Sequence, residues 1–204
     1  MSLRDPEVDS VYRKMNEKVM FQSTWRGVRA VKNPCDAWIY QELIYKYKPD
    51  VIIETGSYFG GSALMLSDFC GNAGKGRIIT IEVEPENRRQ WVPTANVHHI
   101  LGSSSADPVV EEVKSLIRPG ESVMVILDSD HHKEHVAEEL RLYAPLVTKE
   151  QYLIIEDTWW RPGSGGPWDA VEPYIYENRS KWRLDKDCER YLFTNNPNGF
   201  YQRL

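Results

Sequence analysis

The sequence predicts an α/β fold built on a mostly parallel sheet, and three observations carry that expectation. Four short runs rich in β-branched residues, "VIIE" at 51–54, "RIITIE" at 77–82, "VMVILD" at 123–128 and "YLIIED" at 152–157, are almost unbroken in apolar character. Such runs suit strands buried on both faces. Segments of helical length separate them, as βαβ units require. The tail "RYLFTNNPNGFYQRL" carries the turn signal Asn195-Asn196-Pro197-Asn198-Gly199 between two runs, which predicts an antiparallel C-terminal hairpin.

The elements follow in order. "NPCDAWIYQELIYKYKPD" (33–50) spaces Ala37, Ile39, Tyr40, Leu43, Ile44 and Tyr47 along one helical face and stops at Pro49. The strand at 51–54 comes next, then helical segments at Gly61–Cys70 and Pro85–Trp91 on either side of the strand at 77–82. "VHHIL" (97–101) reads as a further strand, and helices are expected at Asp107–Ile117 and His132–Leu146, flanking the strand at 123–128. "DTWWRPGSGGPWDAVEPY" follows the last buried strand and reads as a lid, in which Trp159, Trp160 and Trp168 either wall a ligand or anchor the loop. Residues 1–204 are expected to form one domain, with 1–35 an N-terminal helical cap and 36–204 the core.

Composition narrows the function classes. Hydrophobic residues at 41% and aromatics at 11% supply enough apolar area for a packed core. A formal charge of −5 gives no electrostatic reason to bind nucleic acid. Cys35, Cys70 and Cys188 are odd in number and lack a CxxC pairing, so a reduced, cytoplasmic protein is expected. No apolar run approaches the ~18 residues of a membrane span, and no membrane partner is expected.

Ligands of an open α/β sheet bind outside the carboxyl ends of its strands. Each of the four runs ends there in an acid: Glu54, Glu82, Asp128 and the pair Glu156-Asp157. Acids crowded together raise one another's pKa unless cations offset them, so the edge calls for a positive ligand. Asp128, Glu156 and Asp157 are candidates for one hard cation, Mg²⁺ or Ca²⁺ rather than Zn²⁺. In "LDSDHHKEH" (127–135), His132 and His135 start the next helix, whereas His131 lies in the turn facing the crevice and is the candidate base. A two-histidine, one-carboxylate iron site drawn from Asp130, His132 and His98 or His99 is disfavoured, because such sites sit in antiparallel barrels.

"ETGSYFGGS" (54–62) joins the first strand to a helix but has neither a Gly-Lys-Ser/Thr nor GxGxxG spacing. It therefore suits a nucleoside cofactor without phosphates better than a nucleotide, with Glu82 placed to accept from ribose hydroxyls.

Together with "TWRGVRAVKNPCDAWIYQELI", "IITIEVEP", "ILGSSSADPVVEEV" and "GGPWDAVEPY", these blocks make the sequence resemble the cephalosporin hydroxylase family. That name covers metal-dependent S-adenosylmethionine (SAM) O-methyltransferases, including those acting on macrolide sugars and rhamnosyl groups. The resemblance implies a class I SAM-dependent methyltransferase (Rossmann-like) fold with a seven-stranded sheet. It implies SAM held by Glu54, Thr55, Gly56, Ser57, Ser62 and Glu82, by Gly102, Ser103 and Ser104, and by Asp128. It further implies Mg²⁺ on Asp128, Glu156 and Asp157, and His131 as base with Asp128 as its catalytic companion. The acceptor would be a small-molecule hydroxyl, on a sugar or glycosylated natural product, and the enzyme a homo-oligomer. Little sequence precedes Trp25-Arg26-Gly27, so contacts made by longer N-terminal extensions are expected to be absent or rebuilt. Alternatives are an Fe(II)/2-oxoglutarate hydroxylase and a non-catalytic SAM-binding protein.

Overall fold

The computed structural model describes residues 10, 11, 14, 15, 19–160 and 162–204, Arg88 by its backbone alone. Much of the expected N-terminal helical cap over 1–35 lies outside these residues. Of the cap residues described, Ser10, Val11, Lys14 and Met15 are helical, and from residue 19 the chain forms a 3-10 turn, Met20–Gln22, followed by a two-stranded hairpin of β1 (Thr24–Trp25) and β2 (Val28–Arg29). Trp25 Nε1 donates to Asp68 Oδ2 at 2.7 Å, which ties this hairpin to the helix carrying Asp68.

Helix α1 (Pro34–Tyr47) starts where expected. The side chain of Asn33 accepts from Cys35 N at 2.9 Å, Pro34 supplies a preset φ, and Lys48 ends the helix in the left-handed region. The chain then alternates through β3 (Val51–Thr55), α2 (Gly61–Ala73), β4 (Arg77–Glu82), β5 (Val97–Leu101), α3 (Asp107–Leu116), β6 (Val123–Leu127), α4 (Lys133–Tyr143) and β7 (Tyr152–Ile155). Beyond these lie α5 (Trp168–Glu177), β8 (Trp182–Leu184) and β9 (Phe200–Arg203).

The strands form one seven-stranded sheet in the order β5-β4-β3-β6-β7-β9-β8. β3 pairs in parallel with both β4 and β6, in register at Ile53↔Ile79 and Ile53↔Val125. The order reverses between β3 and β6, so a crevice opens at their carboxyl ends. Every residue of β3 and β6 is buried, which accounts for their unbroken apolar runs. Alternate residues feed opposite cores. Val51, Ile53 and Val125 pack with α3, α4 and α5, while Ile52, Met124 and Ile126 pack with α1 and α2.

Three expectations need correction. The C-terminal strands are antiparallel, but β9 does not pair with residues 190–194, which are not a strand; it lies between β7 and β8. The reason is that Asn195 and Asn196 are buried and held by other residues rather than exposed in a tight turn. The segment Pro85–Trp91 forms only a short 3-10 turn, Asn87–Gln90. The second half of the expected lid is helix α5, whose start is fixed by Asp169 accepting from Gly163 N and Gly165 N, each at 2.7 Å.

Candidate active site

The crevice at the carboxyl ends of β3, β4 and β6 is a cleft of about 750 Å³, lined among others by Gly56, Ser57, Ser62, Glu82, Gly102, Asp128 and His131. One wall is the turn after β3. Gly56 takes φ +81°, and a Cβ there would stand 2.0 Å from the Asp128 carbonyl oxygen. Only glycine lets this turn lie flat against the end of β6. Gly56 N and Ser57 N both donate to Ile81 O at 2.9 Å, and Asp128 N donates to Thr55 O at 3.2 Å, so the turn is fastened to both neighbouring strands.

The residues expected to hold SAM divide into two groups. Gly56, Ser57, Ser62, Glu82, Gly102, Ser103, Ser104 and Asp128 line the cleft. Glu54 and Thr55 are fully buried behind it; Thr80 Oγ1 donates to Glu54 Oε2 at 2.6 Å, and Thr55 Oγ1 accepts from Asp128 N at 3.2 Å. Among the described residues, Ser57 Oγ and Glu54 Oε1 are buried polar atoms without a hydrogen-bond partner. An unpartnered hydroxyl beside a glycine turn fits a polar ligand. Glu82 Oε1 accepts from Glu84 N at 2.8 Å. Ser104 turns its hydroxyl to Glu139 Oε1 at 2.5 Å, where Ser129 Oγ also donates at 2.6 Å, and His135 Nε2 stands 3.0 Å from Ser104 Oγ.

At the other end of the cleft the acids meet two cationic side chains. His131 Nε2 lies 3.2 Å from Asp128 Oδ1 and 3.2 Å from Asp157 Oδ2. Ligand atoms of Asp128, His131 and Asp157 fall within 4.8 Å of one another, a set of donors that fits a metal ion. Glu156 is held differently. Its Oε1 accepts from Lys32 Nζ at 2.5 Å and from Tyr40 OH at 2.8 Å. Lys32 also donates to Asp128 Oδ2. Trp159 Nε1 donates to Asp157 Oδ1 at 2.7 Å, and Asp157 itself takes the left-handed conformation at φ 55°, which Asp tolerates better than most residues.

These contacts govern the charge states. Burial pushes Asp128 upward, but Lys32 and then His131 outweigh it and hold the carboxyl below its ordinary value. Burial alone would lower His131; its bond to Asp128 and the charge of Asp157 instead raise it to about 9. Burial, then the charge of Asp128, pushes Glu156 up to about 8 despite Lys32. Lys32 is likewise desolvated, yet Asp128 and Glu156 hold its proton more firmly than an ordinary lysine's.

Several contributors had no signal in the sequence. Lys32 lies just before the α1 cap, and Tyr40 on α1 reads as an ordinary core aromatic. Asn196 Oδ1 accepts from Asp157 N at 3.1 Å, and Asn196 Nδ2 donates to Tyr40 OH at 3.0 Å. The tail that read as a turn is therefore a brace for the acids. Of the lid tryptophans, Trp159 and Trp160 line the cleft, Trp160 with its ring 6.2 Å from that of His131, whereas Trp168 packs on the core as an anchor. The residues considered for iron are dispersed: His132 Nδ1 pairs with Asp130 at 2.5 Å, His98 stands 3.3 Å from Glu112, and His99 stacks on Trp91. Among the described residues, no helix is long and apolar enough to cross a membrane.

Comparison with known proteins adds independent evidence. A rhamnosyl O-methyltransferase of Mycobacterium leprae (strain TN) is 31% identical over 191 residues, covering 89% of this chain and 83% of the relative. A CmcI structure with Mg and SAM superposes with a TM-score of 0.71 at 22% identity, covering 92% of this chain and 78% of the other. MycE, a methyltransferase of the mycinamycin biosynthetic pathway in complex with Mg and SAH, gives 0.51 at 22% identity over 83% of this chain and 42% of its own. At such identities the structural likeness is one of fold, that of the class I SAM-dependent methyltransferases. A family model described as Rhamnosyl O-methyltransferase/CmcI matches residues 17–204, and this chain belongs to that family.

Proposed function

We propose that this chain is a Mg²⁺-dependent, SAM-dependent O-methyltransferase acting on a hydroxyl of a sugar or glycosylated natural product. The observation that carries the reading is the convergence of Asp128, His131 and Asp157 beside a cleft whose wall is the Gly56 turn. The relatives' names support the chemistry: rhamnosyl O-methyltransferases by sequence, and CmcI with Mg and SAM by fold.

SAM supplies an electrophilic methyl group, and a divalent ion acidifies and orients an acceptor oxygen. The chain's residues do the rest. Gly56, Ser57, Ser62 and Glu82, with Gly102, Ser103 and Ser104, would bind and orient the nucleoside half of the cofactor, while Glu54 and Thr55 support the turn from behind. Asp128 and Asp157 would hold the ion, with Glu156 behind them. With those charges taken up, His131 loses the interactions that retain its proton and can accept one from the acceptor hydroxyl at Nε2. Trp159 and Trp160 form an apolar wall suited to a sugar face and to excluding water. The finer readings rest on the sequence: a cytoplasmic protein on the use of Cys35, Cys70 and Cys188, residues 1–204 as one domain on chain length, and a homo-oligomer working in natural-product biosynthesis on the family resemblance.

The test is transfer of labelled methyl from SAM to rhamnosyl and other glycoside acceptors, with and without EDTA. Metal-dependent label on a sugar oxygen supports the function. SAM binding without transfer to any glycoside would favour the non-catalytic alternative.

A further inference from the structure

Glu139 lies on α4 with its side chain only 1% exposed, and it stands behind the cleft rather than in its lining. A buried carboxylate is unfavourable unless hydrogen bonds compensate it. Its Oε1 accepts from Ser104 Oγ at 2.5 Å and from Ser129 Oγ at 2.6 Å, lengths typical of hydroxyls on a charged acceptor. His135 Nε2 stands 3.4 Å from the same oxygen and 3.0 Å from Ser104 Oγ. Among the described residues Oε2 has no partner, so the compensation comes through one oxygen. Tyr143, one turn further along, donates its hydroxyl to Ser104 O at 2.5 Å. His135, Glu139 and Tyr143 are spaced four apart, so one face of α4 presents all three to the same loop.

The two serines belong to different loops. Ser104 follows β5 and Ser129 follows β6, and both line the cleft. In the sheet β4 and β3 lie between those strands, so no ladder bond joins the ends of β5 and β6 directly. A single carboxylate oxygen does. Each serine gives its hydroxyl proton to that oxygen and keeps none to donate to a ligand. What the pair contributes to the cleft is therefore the placement of its two loops.

Resting on the SAM reading given above, we propose that Glu139 is a positioning residue: it clamps the loops after β5 and β6 at a fixed spacing and holds the nucleoside half of the cleft in its binding shape before the cofactor arrives. It acts through Ser104 and Ser129 and touches no reacting atom. A carboxylate that merely seated α4 on the sheet would change the melting temperature alone. A clamp also sets cofactor affinity far below melting, because an unclamped pair of loops must be ordered on binding.

The experiment is calorimetric titration of the full-length chain with S-adenosylhomocysteine, well below melting, for wild type, E139Q, E139L, S129A and E139L/S129A, with thermal unfolding of each. E139L should bind about tenfold or more weakly than wild type. E139Q keeps an acceptor oxygen for both hydroxyls and should stay within about threefold. S129A should cost about threefold or more alone, yet less than about twofold when added to E139L, where the clamp is already open. Equal binding by wild type and E139L, an E139Q loss as large as that of E139L, or an S129A loss that is the same in both backgrounds would overturn this inference alone. No binding by wild type would overturn the cofactor assignment and this inference with it. If E139L does not fold, S104A, S129A and S104A/S129A test the same link. The double variant should then lose no more than about twice the larger single loss, whereas single losses that multiply would overturn the clamp.

Discussion

His131 and Asp157 meet across the mouth of the acid cluster, Nε2 to Oδ2 at 3.2 Å, although they come from loops after different strands. The same nitrogen stands 3.2 Å from Asp128 Oδ1, so one imidazole bridges two carboxylates that β6 and β7 deliver side by side.

This bridge makes His131 both a structural cation and the candidate base. In H131A the proton acceptor is gone while the Gly56 turn is untouched. Methyl transfer should fall by ~10²–10⁴-fold. Binding of S-adenosylhomocysteine, read by calorimetry, should change little. Normal turnover at saturating metal and acceptor would remove His131 from the base role.

The ion-free protein should lose stability as pH rises. His131 is raised from 6.5 to about 9, so its protonated form stabilises the fold fully below pH 6.5, and that contribution is lost as pH climbs through about 9. Glu156, raised from 4.5 to about 8 chiefly by burial, acts in the same direction, because ionising it in the fold becomes costly between those values. The Tm of EDTA-treated protein should fall from pH 6.5 to 9, with H131Q flattening the upper part of the profile. A Tm that is constant or rises over that window would contradict the assignment.

Gly56 should tolerate no side chain. G56A combines φ +81° with a Cβ placed 2.0 Å from the Asp128 carbonyl oxygen. The strain and overpacking together should cost ~2–4 kcal/mol. Cofactor affinity should fall as well, since the turn and the end of β6 would be pushed apart. Unchanged thermal stability and unchanged binding would mean that the turn is not held as described.

Tyr40 should matter to the acids rather than to the cleft. Its hydroxyl donates to Glu156 at 2.8 Å and accepts from Asn196 Nδ2 at 3.0 Å, both fully inside. Y40F leaves the ring in place but strands two buried partners, a loss of ~1–3 kcal/mol in chemical denaturation. A neutral result would show that water takes over both bonds.

The central strands were legible because burial on both faces writes a continuous apolar run, and the acids at their ends marked the cleft. Asp128, Glu156 and Asp157 could be named because each directly follows such a run. Lys32 was not legible. It precedes an ordinary helix cap, and its partners are 96 and 124 residues away, so only the packing of α1 against the sheet brings them together. The tail misled for a related reason: Asn195-Asn196-Pro197-Asn198-Gly199 has the composition of a hairpin turn, yet Asn196 uses its side chain on Asp157 and Tyr40. Composition reports what a backbone can do locally, whereas these side chains are committed to distant partners. Helix α5 was hidden among Gly and Pro residues, with Pro173 inside it, and is held by packing of Ala170 and Val171 rather than by propensity.

The most direct measurement is MnCl₂ titration of wild type, D128N and D157N with S-adenosylhomocysteine bound, followed by methyl transfer from SAM in the same samples. Wild type should bind one ion beside the cofactor, and each variant should lose both that ion and metal-dependent transfer. An ion bound equally well without Asp128, or transfer that persists in EDTA, would contradict the proposed site.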